Sequence, residues 1–408
     1  MHPQIEDVYN KSVGILALIG IINFLLLSYF NKTLGIGIFY GALIFLATFF
    51  LCYIINYKFI ENSDVYLFLL SSLLVELGLI MLCRINPELY KKQVVFYVIG
   101  AFLFILSTIM TNYFIKRVKN PLLFWLITFV FLLLPILFGV ERGGAKNWIY
   151  IKGLFSFQPS EIAKLFFVFY LSSNLKEGKI KNMSKFILEI FLIIVLLILA
   201  KDLGGAMLFY LTALMLIFIA TSRYDYAFLG ILFGIFLGLA GFHSFPYIRA
   251  RVLAWLDPWQ DVPGRGYQIA QSLFAIAQGG FFGTGLGLGH PEYIPAVATD
   301  FIFSAFTEEF GFLGGQALII LYFLLVYRGV RISLRSIDSY LSLVSIGLTV
   351  FFGLQVFTII GGVIKLIPIT GVTLPFMSYG GSSMIISFTS LGILNGVWIS
   401  SREEEGIG

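Results

Sequence analysis

Apolar segments about as long as a bilayer is thick recur along the whole chain, and they constrain its fold more than any other feature. A helix needs about 20 apolar residues to cross the hydrocarbon core. Segments of this kind occur at 12–30, 34–56, 65–84, 93–112, 121–140, 160–174, 185–200, 203–221, 225–243, 301–328, 340–361 and 379–400. Only 12% of the 408 residues are charged and 59% are hydrophobic, which is too little charge to cover a soluble protein of this size. The sequence therefore predicts an all-α polytopic membrane protein with twelve candidate spans.

The basic residues of the loops predict the orientation of these spans. With the N-terminus inside, the cytoplasmic loops include the short basic stretches 116–119, 176–185 and 328–335, as the positive-inside rule requires. The basic residues of the opposite side lie in glycine- and tryptophan-rich loops that are typical of a binding surface. Both termini are therefore expected in the cytoplasm, and the large loop 244–300 is expected outside.

The composition excludes several other kinds of site. The net charge is +5, but no basic run is interleaved with aromatic residues, so no nucleic-acid partner is expected. Cys52 and Cys83 lie in or at the end of apolar runs and form no CxxC pair, which favours small core residues. The histidines His2, His243 and His290 are scattered and form no zinc motif. The N-terminus has no basic signal-peptide region and no cleavage site, so we expect the first span to be retained.

An acid and a base stand together at the mouth of one span. The residues QPS at 158–160 are typical of a helix start. Glu161 and Lys164 follow, three residues apart and on one face of that helix. Because a desolvated lysine needs a partner, the two are predicted to pair. The pair either belongs to a functional cavity or is a local ion pair that caps the helix.

Two further polar breaks interrupt apolar runs. Asp202, followed by two glycines, separates the seventh and eighth segments; a functional acid and a plain interfacial turn both explain it. Between residues 368 and 383, prolines, glycines and the hydroxyls of Ser378, Ser382 and Ser383 break an apolar stretch. Irregular backbone at membrane depth is tolerated only where protein or a water-filled cavity satisfies it. This segment is therefore predicted to line a cavity for a polar or anionic ligand.

The long polar insertion 249–311 ends its polar part with Asp300, at the edge of the next span. Arg249 and Arg251 near its start are candidates for holding a pyrophosphate or for contacting lipid phosphates. Its run GGFFGTGLGLG is not a dinucleotide fingerprint, because no strand precedes it. Asp300 is either the N-cap of the following helix or a carboxylate general base at a cavity wall. The next acids on that helix lie about 12 Å further along, too far to share its proton.

Taken together, these motifs resemble the SEDS family (shape, elongation, division and sporulation), the group of RodA, FtsW and SpoVE. The matching pieces, all within residues 64 to 401, are NWI at 147–149, FQPSEIAKL at 157–165, DLGGA at 202–206, RxRVxxWxDPW at 249–259, GYQIAQSLFAI at 266–276, GTGLGLG at 283–289, TDFIFSAFTEE at 299–309 and TGVTLPFMSYGGSS at 370–383. One such motif alone has little specificity, whereas the whole series in order is highly specific.

The resemblance implies a SEDS-type bundle of ten core transmembrane helices, with a large extracellular loop before the eighth. The first two spans are then additional, which divides the chain into an N-terminal helix pair, 1–63, and a glycosyltransferase membrane domain, 64–408. The implied activity is that of a peptidoglycan glycosyltransferase, which polymerises lipid II at the outer face of the bacterial cytoplasmic membrane in elongation, division or sporulation. Asp300 matches the acid proposed as catalytic in the family. The polar residues of the family's central cavity are matched by Glu161, Lys164 and Asp202.

The implied reaction inverts the sugar configuration, because lipid II is α-linked and the polymer is β-linked. Direct displacement needs a base for the acceptor hydroxyl, for which we predict Asp300, and positive charge on the leaving pyrophosphate. That charge is predicted to come from Arg249, Arg251 and Lys164, or alternatively from a divalent cation, Mg²⁺ or Mn²⁺. The predicted substrate-binding set is completed by Gln271, Ser378 and Ser382. The implied partners are a class B penicillin-binding transpeptidase and other elongasome or divisome membrane proteins.

The sequence departs from the family pattern beside Asp300, and two rival functions stay open. The family often has a glutamate and a histidine before the catalytic aspartate, where residues 295–300 read PAVATD. A lipid II flippase, or another transporter with broken helices, fits the glycine and proline breaks equally well. A non-catalytic divisome scaffold is the third reading, although a scaffold has no need of an outward acid beside an arginine-rich loop.

Overall fold

The computed structural model describes residues 37–142, 145–151, 155–178, 180 and 182–404, and before residue 37 only residues 13, 14, 16, 18–23 and 25. The first candidate span, 12–30, therefore lies largely outside the described residues. The helices are α1 (Gly37–Lys58), α2 (Val65–Ile85), α3 (Pro87–Met110), α4 (Pro121–Phe138), α5 (Pro159–Leu175), α6 (Met183–Leu199), α7 (Leu203–Thr221), α8 (Tyr224–Ser244), α9 (Pro246–Leu256), α10 (Tyr267–Gly279), α11 (Ile302–Arg335), α12 (Ser339–Val363) and α13 (Gly381–Glu404). A π-helical turn, Thr111–Ile115, extends α3.

The helices confirm the predicted class of all-α polytopic membrane protein. Within the described residues, nine helices are long and apolar enough to cross a membrane. Helices α5 and α6 coincide with the segments 160–174 and 185–200 but have only 17 residues each. Each candidate span from 34–56 onward coincides with a helix, with ends displaced by a few residues. The chain is thus a multi-pass membrane protein.

Two predicted loops contain secondary structure that the sequence did not reveal. Between α4 and α5 the chain forms a three-stranded antiparallel sheet of β1 (Val140–Arg142), β2 (Ala145–Ile151) and β3 (Phe155–Phe157). Ile149 of β2 pairs with Phe157 of β3, immediately before α5 begins. The insertion 244–300 contains α9 and α10 and is therefore partly helical.

The alternating helices divide their connections between the two ends of the bundle. The connections 138–159, 199–203, 244–302 and 363–381 lie at one end. The turns 58–65, 115–121, 175–183 and 335–339 lie at the other end. We call the first the Asp300 end and the second the basic end.

Helix α13 packs closely against α3, almost three hundred residues earlier in the chain. Glycines allow the close approach: a Cβ on Gly392 would lie 2.3 Å from the Phe104 carbonyl oxygen, and one on Gly396 would lie 2.6 Å from that of Thr108. The Ser107 hydroxyl donates a hydrogen bond of 3.1 Å to the Thr389 carbonyl across the interface. Small residues at such an interface are how membrane helices gain packing contacts without a hydrophobic driving force.

Helix α11 is broken at Gly311, where φ is +70° and ψ is −172°. The backbone groups freed by the break pair with the glycine-rich run. The amides of Thr284 and Gly285 each donate 3.0 Å bonds to the carbonyls of Glu308 and Glu309, and Phe312 N–H donates 2.9 Å to the Gly280 carbonyl. The glycine-rich run 279–289 therefore supplies hydrogen-bond partners for the backbone groups that the break in α11 frees. Backbone at membrane depth requires such partners.

Candidate active site

A cavity of about 660 Å³ lies at the Asp300 end of the bundle. Its wall is built by the start of α5, the α6–α7 turn, strand β2, α12, the turn before α11 and the segment 371–381. Four of the predicted residues line it: Glu161, Lys164, Asp202 and Asp300. Residues separated by up to 139 positions in sequence are thus brought to one polar pocket, of a size typical of ligand sites.

Glu161 and Lys164 form a buried ion pair on the first turns of α5. Their side chains are 11% and 8% exposed, and Lys164 Nζ lies 2.5 Å from Glu161 Oε2. Lys164 also donates a 3.4 Å hydrogen bond to Gln355 Oε1 on α12, and Gln355 Nε2 donates 2.8 Å to the Thr373 carbonyl. The pair is therefore more than a local helix cap, because it connects α5 to α12 and to the broken segment.

Asp202 caps helix α7 and also faces the cavity. Its Oδ1 accepts a 2.9 Å bond from the Gly205 amide, and its Oδ2 accepts a 3.4 Å bond from Gln158 Nε2. Burial raises the pKa of this carboxyl, hydrogen bonds from Gly205 and from the Asn147 side chain oppose the rise, and the Glu161 charge adds to it. Asp202 thus serves the turn as an N-cap, and its position in the cavity wall leaves the functional interpretation as a prediction.

Asp300 lies at the cavity wall on a turn that two tertiary bonds hold in place. The Ser378 hydroxyl donates 2.5 Å to the Thr299 carbonyl, and the Tyr379 amide donates 2.8 Å to the Ala298 carbonyl. Burial raises the pKa of Asp300, while a hydrogen bond from Thr299 and the charge of Arg251 act against the rise. A carboxylate with a raised pKa is a stronger base once it is deprotonated.

The N-cap reading of Asp300 is wrong. The N-cap residue of α11 is Phe301, and no side chain caps this helix end. The physical reason is the turn before it, in which Ala296 has φ of +51° and Asp300 N–H donates back to the Ala296 carbonyl at 3.0 Å. The carboxylate is therefore not engaged by the helix terminus.

The two predicted arginines lie in different surroundings on α9. Arg251 Nη1 donates to the carbonyls of Thr370 and Ile369 at 3.1 and 3.4 Å, beside Asp300. Arg249 instead donates to the carbonyls of Phe242 and His243 at 3.4 and 3.2 Å and is exposed. Neither arginine is among the residues of the cavity wall. Arg251 nevertheless lies close to the acid, because a Cβ on Gly371 would be 3.7 Å from Asp300 Oδ2 and 3.9 Å from Arg251 Nη2.

The two predicted serines support the wall rather than line it, and Gln271 lies away from it. Ser378 is buried and accepts a 3.0 Å bond from the Leu374 amide. Ser382 accepts a 3.1 Å bond from the Gln158 amide, which joins α13 to the start of α5. Gln271 lies on α10 and is not among the residues of the cavity wall.

The cavity also contains polar residues that sequence reasoning missed. Gln355, Lys92 and Asn147 all line it. Gln93 holds the broken segment from behind, donating 3.0 Å to the Ser378 carbonyl and accepting from the Gly380 amide at 3.3 Å. For Gln93 and Gln355 the available signal was an amide inside an otherwise apolar span, which is costly for the same reason as a charge.

A cation site is not apparent among the described residues. They include no group of three or more His, Cys, Asp or Glu side chains arranged to hold a metal ion. Of the cavity acids, Glu161 is paired with Lys164, and both oxygens of Asp202 accept hydrogen bonds. These contacts leave Asp300 as the cavity carboxylate that a cation could use, together with a substrate phosphate.

Comparison with known proteins gives consistent matches. The FtsW/RodA/SpoVE family model, described as "Cell cycle protein", matches residues 65–403. Stage V sporulation protein E of Bacillus subtilis is 37% identical over 373 residues, covering 84% of this chain and 98% of that protein. Peptidoglycan glycosyltransferase RodA of Mycobacterium tuberculosis is 35% identical over 367 residues, covering 83% and 78%.

Solved structures have the same fold. A chain of a peptidoglycan synthase complex, studied for its coordination of polymerization and crosslinking, gives a TM-score of 0.71 at 28% identity and covers 84% of this chain and 98% of that one. The rod shape determining protein RodA of Thermus thermophilus gives a TM-score of 0.63 at 26% identity, with the same coverage.

Proposed function

The chain belongs to the FtsW/RodA/SpoVE family of cell cycle proteins, and from that premise we propose that it is a peptidoglycan glycosyltransferase that polymerises lipid II. The observation that carries the proposal is the position of Asp300, at the wall of a cavity that also contains Lys164 and beside Arg251. This arrangement offers a base and positive charge at one pocket, the two things that an inverting displacement from a pyrophosphate needs.

Asp300 is the proposed general base. Its carboxylate takes the proton of the acceptor sugar's 4-hydroxyl as the oxygen attacks the anomeric carbon of the donor. The bond from that carbon to the pyrophosphate oxygen breaks at the same time, and the undecaprenyl pyrophosphate leaves with the electron pair. The turn bonds from Ser378 and Tyr379 fix the position of the base, which such a reaction needs within a fraction of an ångström.

Lys164 and Arg251 are the proposed partners of the leaving pyrophosphate. Lys164 lies in the cavity wall and is buried from bulk water, which reduces the screening of its interaction with a bound phosphate. Arg251 already donates to backbone carbonyls, which fixes its guanidinium near the acid. Arg249, which is exposed and outside the cavity, is proposed only as a lipid-phosphate contact.

A divalent cation, Mg²⁺ or Mn²⁺, is the alternative source of positive charge. Glu161 and Asp202 are already engaged and Asp300 is the proposed base, so we assign the positive charge to Lys164 and Arg251 and route no step through a cation. Polymerisation that persists in excess chelator is the expected result.

We also propose an orientation in the membrane and a partner for this protein. The Asp300 end faces outward and both termini are cytoplasmic, which the basic residues of the other end favour. The undecaprenyl chain stays in the bilayer during the reaction, because removing it costs about 0.8 kcal/mol per methylene. A class B penicillin-binding transpeptidase is the proposed partner, since a similar solved chain comes from a complex that coordinates polymerization and crosslinking. The first two spans, 1–63, are proposed as an addition to the family domain.

The transporter alternative has one feature in its favour, the break in α11 at Gly311. Broken helices in transporters border mobile, water-filled sites. Here the broken backbone is instead paired on both sides of Gly311 with residues 280–285, and neither segment is among the residues of the Asp300 cavity wall.

The test uses the full chain, reconstituted with its transpeptidase and supplied with lipid II. Asp300→Asn is expected to form glycan strands at least a hundredfold more slowly, since general bases contribute about 10²–10⁴-fold. Asp257→Asn, on an exposed turn of the same insertion, is the matched control and is expected to polymerise normally. Full activity of Asp300→Asn refutes the base assignment. Wild-type protein that moves lipid II across vesicles but makes no strands would support the transporter instead.

A further inference from the structure

A second, larger cavity lies at the basic end of the bundle, on the opposite side of the membrane from Asp300. Its volume is about 1070 Å³, and it is enclosed by the α1–α2 connection and by the last turns of α11 and α13. It shares no residue with the Asp300 cavity. The proposed reaction therefore makes no use of it.

Arginines surround a single tryptophan in this cavity. The guanidinium carbons of Arg335 and Arg402 lie 4.8 and 5.1 Å from the ring centroid of Trp398, and that of Arg328 lies 5.8 Å away. Three cations on one indole are held in place by cation–π contacts. Arginines of α11 and of α13 therefore converge on one aromatic ring in this cavity.

The charge of the cavity is only partly neutralised by its own wall. Five basic side chains line it, Lys58, Arg328, Arg331, Arg335 and Arg402, against two acidic ones, Glu61 and Asp64. Asp64 is committed to Arg328, whose Nε donates to it at 2.9 Å.

One donor in this wall is buried and lacks an acceptor. Arg402 Nε is shielded from solvent and has no hydrogen-bond acceptor among the described residues, and its Nη1 has only the 3.4 Å contact with Asn62 Oδ1. A buried donor without a partner is costly, so a missing acceptor is expected here.

Ordinary positive-inside residues do not explain this arrangement. Topology requires only that basic residues lie near the ends of spans, as exposed Arg117 and Lys185 do on the same face. It does not require arginines from two different helices to converge on one aromatic ring in a concave site. Basic pockets between membrane helices are typical of sites for phosphate headgroups.

We propose that this cavity binds a phosphate-bearing anion, held by Arg331, Arg335 and Arg402 through charge-assisted hydrogen bonds. The phosphate belongs either to an anionic phospholipid of the adjoining leaflet or to a soluble phosphate compound. The α1–α2 connection forms one wall, so the site depends on a helix that precedes the family match at residue 65.

The experiment compares two double variants of the full chain in phosphatidylcholine nanodiscs. Arg331→Gln/Arg335→Gln removes two positive charges from the cavity, and Arg117→Gln/Lys185→Gln removes two from the same face outside it. Soluble pyrophosphate is titrated by calorimetry in pure phosphatidylcholine discs. Phosphatidylglycerol is then added to the discs, and retained lipid is counted by native mass spectrometry.

Wild type and the control are expected to bind one probe, and the cavity variant is expected to bind it more weakly by roughly tenfold per guanidinium removed. Pyrophosphate binding identifies a soluble ligand, and selective phosphatidylglycerol retention identifies a lipid headgroup. Arg331→Gln alone, on an exposed side chain, gives the same comparison if the double variant does not fold. Failure of both probes to bind wild type, or equal losses in the cavity and control variants, overturns the proposal.

Discussion

The pairing of the glycine-rich run with the break in α11 is tested most sharply by Gly283→Ala. Gly283 has φ of +87°, and a Cβ there would lie 2.1 Å from the Glu309 carbonyl oxygen and 2.7 Å from the Gly311 nitrogen. The left-handed conformation costs alanine about 1–2 kcal/mol, and overpacking costs about 1–3 kcal/mol. Displacing the run also weakens the bonds from Thr284 and Gly285, at about 1 kcal/mol each. The expected loss of unfolding free energy is thus about 4–7 kcal/mol.

Two other glycines separate these contributions. Gly280 also has positive φ, +53°, but a Cβ there would meet nothing within 4 Å, so Gly280→Ala carries strain alone, about 1–3 kcal/mol. A Cβ on Gly238, inside α8, likewise meets nothing, so Gly238→Ala is expected to be neutral or slightly stabilising. Denaturant unfolding in a mild detergent should rank stability as Gly238→Ala, then Gly280→Ala, then Gly283→Ala. Equal stability of the last two variants would show that the close approach is not required.

Three further changes follow from the cavity. Lys164→Met leaves Glu161 buried without its partner and is expected to lower the free energy of unfolding by about 3–5 kcal/mol. The double variant Lys164→Met/Glu161→Gln should recover most of this loss in the same unfolding assay. Additive losses of the two single variants would show that the two side chains do not stabilise the fold as a pair. The pKa of Asp300 is raised by burial, so its contribution to stability is full below the ordinary aspartate pKa and is lost as pH rises through the raised one. Asp300→Asn should therefore melt higher than wild type at pH 7, and the difference should shrink toward pH 4; a constant difference would refute the linkage. Asp202→Asn retains the cap on Gly205 and removes a carboxyl whose pKa burial also raises, so at pH 7 it should be at least as stable as wild type while polymerisation falls. Asp202→Ala loses the cap and should be about 1 kcal/mol less stable than Asp202→Asn; equal stability of the two variants would show that the cap does not contribute.

Spans could be predicted from the sequence because they are a local, one-dimensional property. An apolar run of sufficient length has to be helical in a bilayer, since nothing else satisfies its backbone. The sheet around β2 is different, because its strands are short and lie in a glycine-rich stretch without clear alternation. Pairing of Ile149 with Phe157 depends on tertiary context, which a pattern of apolar residues does not carry.

Much of the cavity was predictable for a different reason. Acids and bases inside apolar runs are costly and therefore conspicuous, as Glu161, Lys164 and Asp202 were. Gln355 carries no charge and stands in a continuous span, so a search for charges passes over it. Its importance appears only when α12 is placed against Lys164.

The two arginines of α9 mark the limit of such reasoning. Arg249 and Arg251 are two residues apart, which on a helix places them about 200° apart around the axis. Only one of them can face Asp300. Which of the two does so depends on the helix α9, whereas the sequence predicts a loop here. The same holds for Asp300, whose position before a helix is typical of an N-cap until the turn at Ala296 is known.

The close packing of α13 on α3 has a consequence for biogenesis. Helices enter the bilayer in the order of synthesis, so α3 is in the membrane long before its principal partner is made. Until then the interface that Gly392 and Gly396 will fill faces lipid or a chaperone, with Ser107 lacking its acceptor on Thr389. Ser378 and Tyr379, in the segment before α13, also cannot yet form their hydrogen bonds with the turn that carries Asp300. The wall of the Asp300 cavity is therefore completed only when the last helix leaves the translocon, so a chain interrupted before that point is inserted without a complete cavity.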